Sequence, residues 1–378
     1  YYDNNRLRTI MEKEPIRVLH IVPNMQAGGL ETLIMNIYRN IDRTKVQFDF
    51  LVHYTGNYFY DDEIRSLGGR IYKLSVRDDN NFIKYLKDLD AFFKAHPEYK
   101  IVHGHMESLG QFYFKAAKRN GVPVRVAHSH NSATEDTLKG KIKGLLLKRY
   151  KVFATDYFAC SQKAGEFMFA NKKFTVLKNA IIVNNFAYNE DERNRLRKEL
   201  GIEDKIVIGH AGRFCEQKNH KFLIDVFKKI ADLENNAVLL LIGAGETFER
   251  IKEQVQEYGL EERVIFLGVR KDIASLYQAM DCFVFPSLFE GLGIVAIEAQ
   301  CSGLPVVGSD VIPKEAAVTN QFHYMSLDDS ADEWAKKILE VTKQERKAEI
   351  DKIRAAGYDV HDVAEYLEDF YIKKYLEN

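Results

Sequence analysis

The sequence offers little sulfur chemistry. Its four cysteines, Cys160, Cys215, Cys282 and Cys301, include no two that are three apart. That excludes a zinc ribbon, a CxxC redox pair and the disulfide framework of a small secreted domain. No apolar run approaches the roughly 18 residues that a membrane span needs, and nothing near the start has the pattern of a signal peptide. A cytoplasmic localisation is expected. Low-complexity segments and short internal repeats are also lacking. Net charge is almost absent, with 54 Lys and Arg against 55 Asp and Glu. Without a strong basic excess over the chain, a nucleic-acid partner is not expected.

What is present fits an ordinary globular protein of two domains. The chain has 378 residues, and domains run to roughly 150 residues each. A hydrophobic content of 46 % fills two sizeable cores without disulfide or metal staples. The neutral total conceals a split. Residues 11–190 hold 27 Lys and Arg against 19 Asp and Glu, a net +8, while residues 191–378 hold 25 against 35, a net −10. Such asymmetry points to one half that faces an anionic surface or ligand. Residues 1–10 are polar and patternless; Met11 is read as a natural start, and the first ten are left out of the fold expectation.

Short β-rich runs alternate with helical patterns along nearly the whole chain. In the first half the expected strands are Arg17–Val22, Phe48–Val52, Arg70–Leu74, Ile101–His103, Val124–His128 and Tyr157–Cys160. Between them lie helices such as 82–93, with Phe82, Tyr85, Leu86, Leu89 and Phe93 at helical spacing. In the second half Ile206–His210, Val238–Ile242, Val264–Leu267, Cys282–Phe285 and Pro305–Val307 are nearly continuous apolar runs, as central parallel strands must be. A helix over 220–233 is expected to bury Phe222, Leu223, Val226, Phe227, Ile230 and Leu233, and another runs over 247–258. Two series of βα units imply an α/β fold of two Rossmann-like, doubly wound parallel-sheet domains. The boundary is expected near 179–204, dividing the chain into 11–185 and 186–360. In open parallel sheets ligands bind beyond the carboxyl ends of the strands, so the residues just after the strands carry the interest, and two such domains would place a site in the cleft between them.

Four such stretches stand out. After the first strand, Gly28 and Gly29 open a helix whose apolar residues are Leu30, Leu33, Ile34 and Ile37; glycines at a helix N-terminus allow close approach of an anion. After Ile206–His210 come Gly212, Arg213 and, five residues on, Lys218, two cations suited to a diphosphate that gains charge in a reaction. The sharpest stretch is Glu290-Gly291-Leu292-Gly293-Ile294-Val295-Ala296-Ile297-Glu298. Its glycines open a helix, and Glu298, amid Ala296, Ile297 and Ala299, needs a hydroxyl or cation partner because burying a bare carboxylate is costly. Lastly, His128-Ser129-His130-Asn131 ends a strand of the first half. Alternation sends the two histidines to one side, where they could bind a metal, act as bases or position hydroxyls, a metal being the weakest choice. His103 and His105, after another strand, are read as structural.

Taken together these residues resemble the retaining, family-4 glycosyltransferases of the GT-B fold, over essentially residues 16–375, and most of all bacterial enzymes of exopolysaccharide or capsule synthesis. The matching pieces are the Gly28-Gly29 turn, AHSHN, a KNAI stretch where the family usually has Pro-Asn-Gly, GRFCEQK, LLLIGAGE, FLGVRKDIASLYQAMDCFVFPS and the E-x7-E pair Glu290 and Glu298. The linker departs from the pattern at Lys178 and Ala180, which puts hinge details in doubt. The resemblance implies a nucleotide-sugar donor, a UDP-sugar, held by the second domain. Glu298 would bond the ribose and Val269-Arg270 would lie beside the base. Arg213 and Lys218 would hold the diphosphate, while Glu290, Gly291, Leu292, Gly293, Ile294 and Val295 would contact the donor sugar and phosphate. His130 would act near the reacting carbon, with His128 and Asn131 on the acceptor side. Gly28 and Gly29 would also face the donor. Transfer would retain configuration, without a metal or other cofactor, to a glycan or lipid-linked acceptor. A last helix, about 361–378, would cross back to complete the first domain. The alternatives are a GT-B nucleotide-sugar epimerase and a non-catalytic sugar-nucleotide-binding protein. An NAD oxidoreductase is disfavoured because Gly243-Ala244-Gly245 is followed by Phe248 where a third glycine is wanted. A metal-dependent single-domain transferase is disfavoured too, since the lone Asp-x-Asp, Asp88-Leu89-Asp90, lies inside a helical pattern.

One further stretch, 139–151, packs six cations and no acid around Leu145-Leu146-Leu147. A basic, partly apolar segment of this kind is expected to lie on an anionic leaflet, each cation near the surface contributing roughly 1 kcal/mol. Binding to anionic vesicles should be salt-sensitive and fall sharply in the Lys139→Glu, Lys141→Glu, Lys143→Glu triple variant. Co-sedimentation undiminished by those changes would exclude docking through this segment.

Overall fold

A computed structural model describes residues 14–75, 81–130, 147 and 149–378. Two compact units are present. One holds the chain up to Ile181 together with Asp359–Asn378, and the other holds Ile182–Tyr358. The chain thus leaves the first unit four residues before the 185/186 division read from the sequence, and it returns at Asp359. Among the described residues no helix is long and apolar enough to cross a membrane. Asn131, residues 139–146 and Lys148 lie outside the described residues.

In the first unit seven strands, β1 (Ile16–Val22), β2 (Val46–Val52), β3 (Ile71–Lys73), β4 (Ile101–Gly104), β5 (Val124–Ser129), β6 (Asp156–Ala159) and β7 (Thr175–Val176), form one parallel sheet in the order β3-β2-β1-β4-β5-β6-β7. Strand order reverses between β1 and β4, where a doubly wound sheet opens a crevice at the carboxyl ends. In register, His20 lies beside His103, and His103 beside Val126. Two-residue alternation then puts His20, His103 and His128 on one face. The helix Val360–Leu376 returns to this sheet. Val360 N–H donates to Ile181 O at 2.9 Å, and the helix packs on the helix Gly29–Asn40. Ion pairs Lys45–Glu368 at 2.7 Å and Lys374–Asp156 at 2.6 Å hold it there.

The second unit is a six-stranded parallel sheet of β8 (Ile206–Ala211), β9 (Ala237–Ile242), β10 (Val264–Gly268), β11 (Cys282–Phe285), β12 (Val306–Ser309) and β13 (Phe322–Met325), ordered β10-β9-β8-β11-β12-β13. The run Ala-Val-Leu-Leu-Leu-Ile of β9 is wholly buried because both faces are covered. Leu239 and Leu241 join a core with Trp334 and Phe227, whereas Val238 and Leu240 join another with Phe283 and Phe285. Its strand order reverses between β8 and β11, so the loops after those two strands flank this unit's crevice.

Several sequence expectations need correction. Leu233 is 57 % exposed; it sits at the edge of the apolar stripe, and Ile224, buried, belongs to it instead. Phe222 and Leu30 are half-buried, and Phe82 is exposed while Phe92 is buried. The edge strands β7 and β13 were not expected, being two and four residues long with no clean apolar run.

Candidate functional site

The loop after β8 and the loop after β11 are stitched to each other. Leu288 N–H donates to Gln217 O at 2.8 Å, Gln217 Nε2 to Phe289 O at 2.9 Å, and Asn219 Nδ2 to Pro286 O at 3.1 Å. Asn219 has a left-handed backbone, φ 56°, which turns the chain from a short 3-10 segment, Glu216–Lys218, into the helix His220–Leu233. This stitching brings Lys218 Nζ to 2.6 Å from Glu290 Oε1, with the two side chains 16 % and 7 % exposed. The ammonium also lies 5.2 Å from the Phe285 ring centroid. A largely desolvated cation and carboxylate thus sit side by side at the switch point of the second unit.

Gly212 is part of the same construction. A Cβ there would lie 3.4 Å from Lys218 Cδ and 3.0 Å from His210 Nε2. The Gly243-Ala244-Gly245 turn buttresses it from β9: Gly212 N–H donates to Ile242 O at 3.0 Å and Phe214 N–H to Ala244 O at 3.0 Å. A Cβ on Gly243, φ +138°, would overlap Gly212 O. These glycines are needed for close approach of backbone to backbone.

Gly293, φ +88°, starts the helix Ile294–Cys301, and a Cβ there would press to 2.8 Å from Phe285. In its first turn Ala296 N–H donates to Gly293 O at 3.0 Å, which leaves the N–H groups of Ile294 and Val295 for the anion-attracting end of the helix dipole. Gly291, Ile294 and Val295 are half-buried, and Leu292 is buried. One turn on, Glu298 is half-buried, and Tyr277 O–H donates to its Oε2 at 3.0 Å. Burial pushes its carboxyl up to about 7, with the Tyr277 bond opposing. A hydroxyl-rich ligand would offer it the partners it lacks.

Other expected residues have partners of their own or face solvent. Arg213 points into solvent, 72 % exposed, and pairs with Glu246 at 3.0 Å. Val269 is 58 % exposed, and Arg270 pairs with Asp272 at 2.6 Å. In the first unit Gly28 caps the helix Gly29–Asn40 with extended backbone and no side-chain cap. The Glu31 carboxylate curls back so closely that a Cβ on Gly28 would overlap it, and burial pushes that carboxyl up. An acid, and not an open anion site, therefore occupies this helix end.

The histidines of the first unit form a connected cluster. His20 Nδ1 lies 3.1 Å from His105 Nε2, and His105 Nδ1 lies 3.0 Å from His130 Nε2. His103 Nε2 lies 3.1 Å from His128 Nδ1, and its Nδ1 is 2.5 Å from the Tyr371 hydroxyl. Burial pushes His20 and His130 down to about 3 and His103, His105 and His128 well below the usual imidazole range. All five are neutral near pH 7. Sequence reading singled out His128 and His130 but set His103 and His105 aside and passed over His20. The shared two-residue spacing of His103/His105 and His128/His130 was the available signal, and only the register of β1, β4 and β5 joins them.

Residues 192–358 match the family model described as glycosyl transferases group 1. EpsF of Bacillus subtilis (strain 168), named as a glycosyltransferase, is 35 % identical over 362 residues, covering 92 % of this chain and 94 % of that protein. An Escherichia coli protein named UDP-Gal:alpha-D-GlcNAc-diphosphoundecaprenol alpha-1,3-galactosyltransferase is 27 % identical, covering 81 % of this chain and 82 % of its own length. CapH of Staphylococcus aureus, named as a capsular polysaccharide biosynthesis glycosyltransferase, is 27 % identical over 96 % of this chain and 100 % of its own. Among solved structures, Anabaena HepE in complex with UDP superposes with a TM-score of 0.75 at 20 % identity, over 94 % of this chain and 99 % of that one. The GT-B fold is thereby shared.

The raised Glu298 carboxyl has a consequence for stability. The folded chain keeps that proton up to about pH 7, whereas an unfolded glutamate releases it near 4.3. Between those values the folded state binds more protons, so stability falls as pH rises through the window. Glu298→Gln should therefore match the parent Tm near pH 4 and exceed it by a few degrees above pH 7. A Tm difference that does not change with pH would refute this.

Proposed function

Because the chain belongs to the group 1 glycosyltransferases, we propose that it moves a sugar from a UDP-sugar to a lipid-linked glycan acceptor, with retention of configuration, in exopolysaccharide or capsule synthesis. The observation that carries the donor side is the part-buried Lys218–Glu290 pair at the switch point, a few residues before the N-terminus of the helix Ile294–Cys301. In the reaction the bond from the sugar's anomeric carbon to phosphate breaks, a bond to the acceptor oxygen forms, and the acceptor proton ends on the departing diphosphate. That leaving group gains negative charge. Lys218, Arg213 and the helix N-terminus are the cationic and dipolar groups suited to meet it, without a metal ion. Glu298 takes the ribose hydroxyls, Val269 and Arg270 lie at the base, and Glu290 with Leu292, Gly293 and Ile294 holds the donor sugar. His128 and His130 serve the acceptor side.

Support for the donor comes from HepE, solved in complex with UDP and with UDP-glucose. Support for the acceptor comes from the diphosphoundecaprenol in the name of the E. coli relative, and for the biological setting from CapH. A lipid-linked acceptor would be met at the cytoplasmic membrane face, in keeping with the basic stretch 139–151.

Arg213→Ala should lower kcat on the order of 10²–10³-fold, with Tm unchanged because its ion pair is exposed. Near-normal turnover would remove Arg213 from the assignment. By calorimetry Glu298→Ala should weaken both UDP and UDP-sugar, whereas Glu290→Ala should spare UDP and weaken the UDP-sugar. Equal losses for both ligands in both variants would refute this division. Turnover should survive a chelator, and loss on EDTA with rescue by a divalent ion would overturn metal independence. Conversion of the UDP-sugar to its epimer, without acceptor and without net release of UDP, would favour an epimerase.

A further inference from the structure

Two sets of three imidazoles bring ring nitrogens within 4.8 Å of one another, His20/His103/His105 and His105/His128/His130. Ring planes separate the two sets. His20, His103 and His105 are stacked, with interplanar angles of 12°, 23° and 11°. The lone pair of an imidazole nitrogen lies in the ring plane, so stacked rings aim theirs side by side and not at a common point. His105, His128 and His130 are tilted to one another by 33°, 33° and 41°. Tilted rings can converge on one ion.

The second set also has nitrogens to spare. His105 Nδ1 and His130 Nε2 lie 3.0 Å apart, a few tenths short of the roughly 3.4 Å between two nitrogens on one tetrahedral zinc, whose bonds to histidine are about 2.0–2.1 Å. His128 Nε2 is buried and has no partner. The other nitrogen of His105 and of His128 is engaged behind the set. His105 Nε2 lies 3.1 Å from His20 Nδ1, and His128 Nδ1 lies 3.1 Å from His103 Nε2. A ligating imidazole carries its proton on the nitrogen turned away from the ion and donates it to an outer partner, which fixes the ring. His20 and His103 stand where such partners are needed, and His103 is itself held by the Tyr371 hydroxyl. Beside the set, Glu107 is 5 % exposed, and its Oε1 accepts from His130 N–H at 3.0 Å and from the Ser129 hydroxyl at 3.1 Å. A buried acid there offsets the charge of a cation. His130, half-buried and just past the end of β5, closes the set on the side of the strand ends.

We propose that His105, His128 and His130 bind one divalent cation of the imidazole-preferring kind, zinc first among them, and that filling this site switches transfer off. The second half rests on the acceptor-side reading of His130, since an imidazole held by an ion is withdrawn from substrate. The cation takes no part in catalysis, and the protein without it is the active state. Magnesium and calcium, which take oxygen ligands, are not expected to bind.

The experiment titrates the full chain, stripped with EDTA and dialysed, with Co²⁺ and Zn²⁺. Cobalt should give the intense visible absorption of a four-coordinate ion at one equivalent, displaced by one equivalent of Zn²⁺ and untouched by Mg²⁺. His105→Gln and His128→Gln should each lose that spectrum. His103→Gln, which alters only an outer partner, should weaken zinc on the order of 10–100-fold. One equivalent of Zn²⁺ should abolish release of UDP from UDP-glucose by the parent, EDTA should restore it, and His105→Gln should keep its own rate in zinc. Should the ligand variants fail to fold, the parent's cobalt spectrum decides alone, and the pale spectrum of a six-coordinate ion would overturn the site. A spectrum and stoichiometry that both variants share with the parent would overturn it too, by placing the ion elsewhere. If zinc binds as expected and UDP release is unaffected, the site stands, and the inhibitory role falls together with the acceptor-side reading of His130. Absence of UDP release even after EDTA, with the cobalt spectrum as expected, would count against the transfer reading alone.

Discussion

A parallel strand covered on both faces has no room for polar side chains along its length, so chemistry collects where such strands end. Everything in the second unit follows from that constraint. β8, β9 and β11 are apolar almost throughout, and polar residues begin within a residue or two of their last hydrogen bonds. The Gly212 turn, the stitched loops and the Lys218–Glu290 pair are what that edge makes available. The first unit departs from the rule in several places: Asp49 of β2 is buried against Arg17 and Tyr99, and imidazoles line a neighbouring stretch. β1, β4 and β5 each set an imidazole into a shared face, and a neutral imidazole is among the few polar groups that tolerate it, since two nitrogens can satisfy two neighbours.

The Lys218–Glu290 pair and the clustered imidazoles bring polar groups into the fold by different means. Lys218 and Glu290 are part-buried together, and removing either would leave its partner without its counter-charge. Such a pair contributes little to stability but keeps two charges at fixed positions, and under the proposed function a diphosphate beside Lys218 would exchange one anionic partner for another. Arg213 is different. Its exposed pair with Glu246 contributes little to the fold, and its long side chain is tethered only at the surface.

Much of this was legible in sequence where the determinants are local. Glu290, the glycines and Glu298 lie within nine residues, so the spacing alone located the loop after β11 and the start of the helix that follows it. The continuous apolar runs located the central strands to within two residues. What escaped depends on residues far apart in the chain. Tyr277, 21 residues before Glu298, is its hydrogen-bond partner, and Glu246, 33 residues after Arg213, turns that arginine outward. Glu31 filling the helix end at Gly28 is local, but glycine spacing says nothing of where a nearby carboxylate folds back. His20 carried no signal at all until strand pairing set it beside His103.

The central claim is that the donor is held by the two stitched loops of the second unit. Hydrogen exchange of the full chain with and without UDP tests it most directly. Amides of 212–219 and 286–301 should slow on binding, while those of β4 and β5, which carry His103 and His128, stay unchanged. Protection confined to the first unit, with the two loops exchanging as fast as in the free protein, would contradict the account.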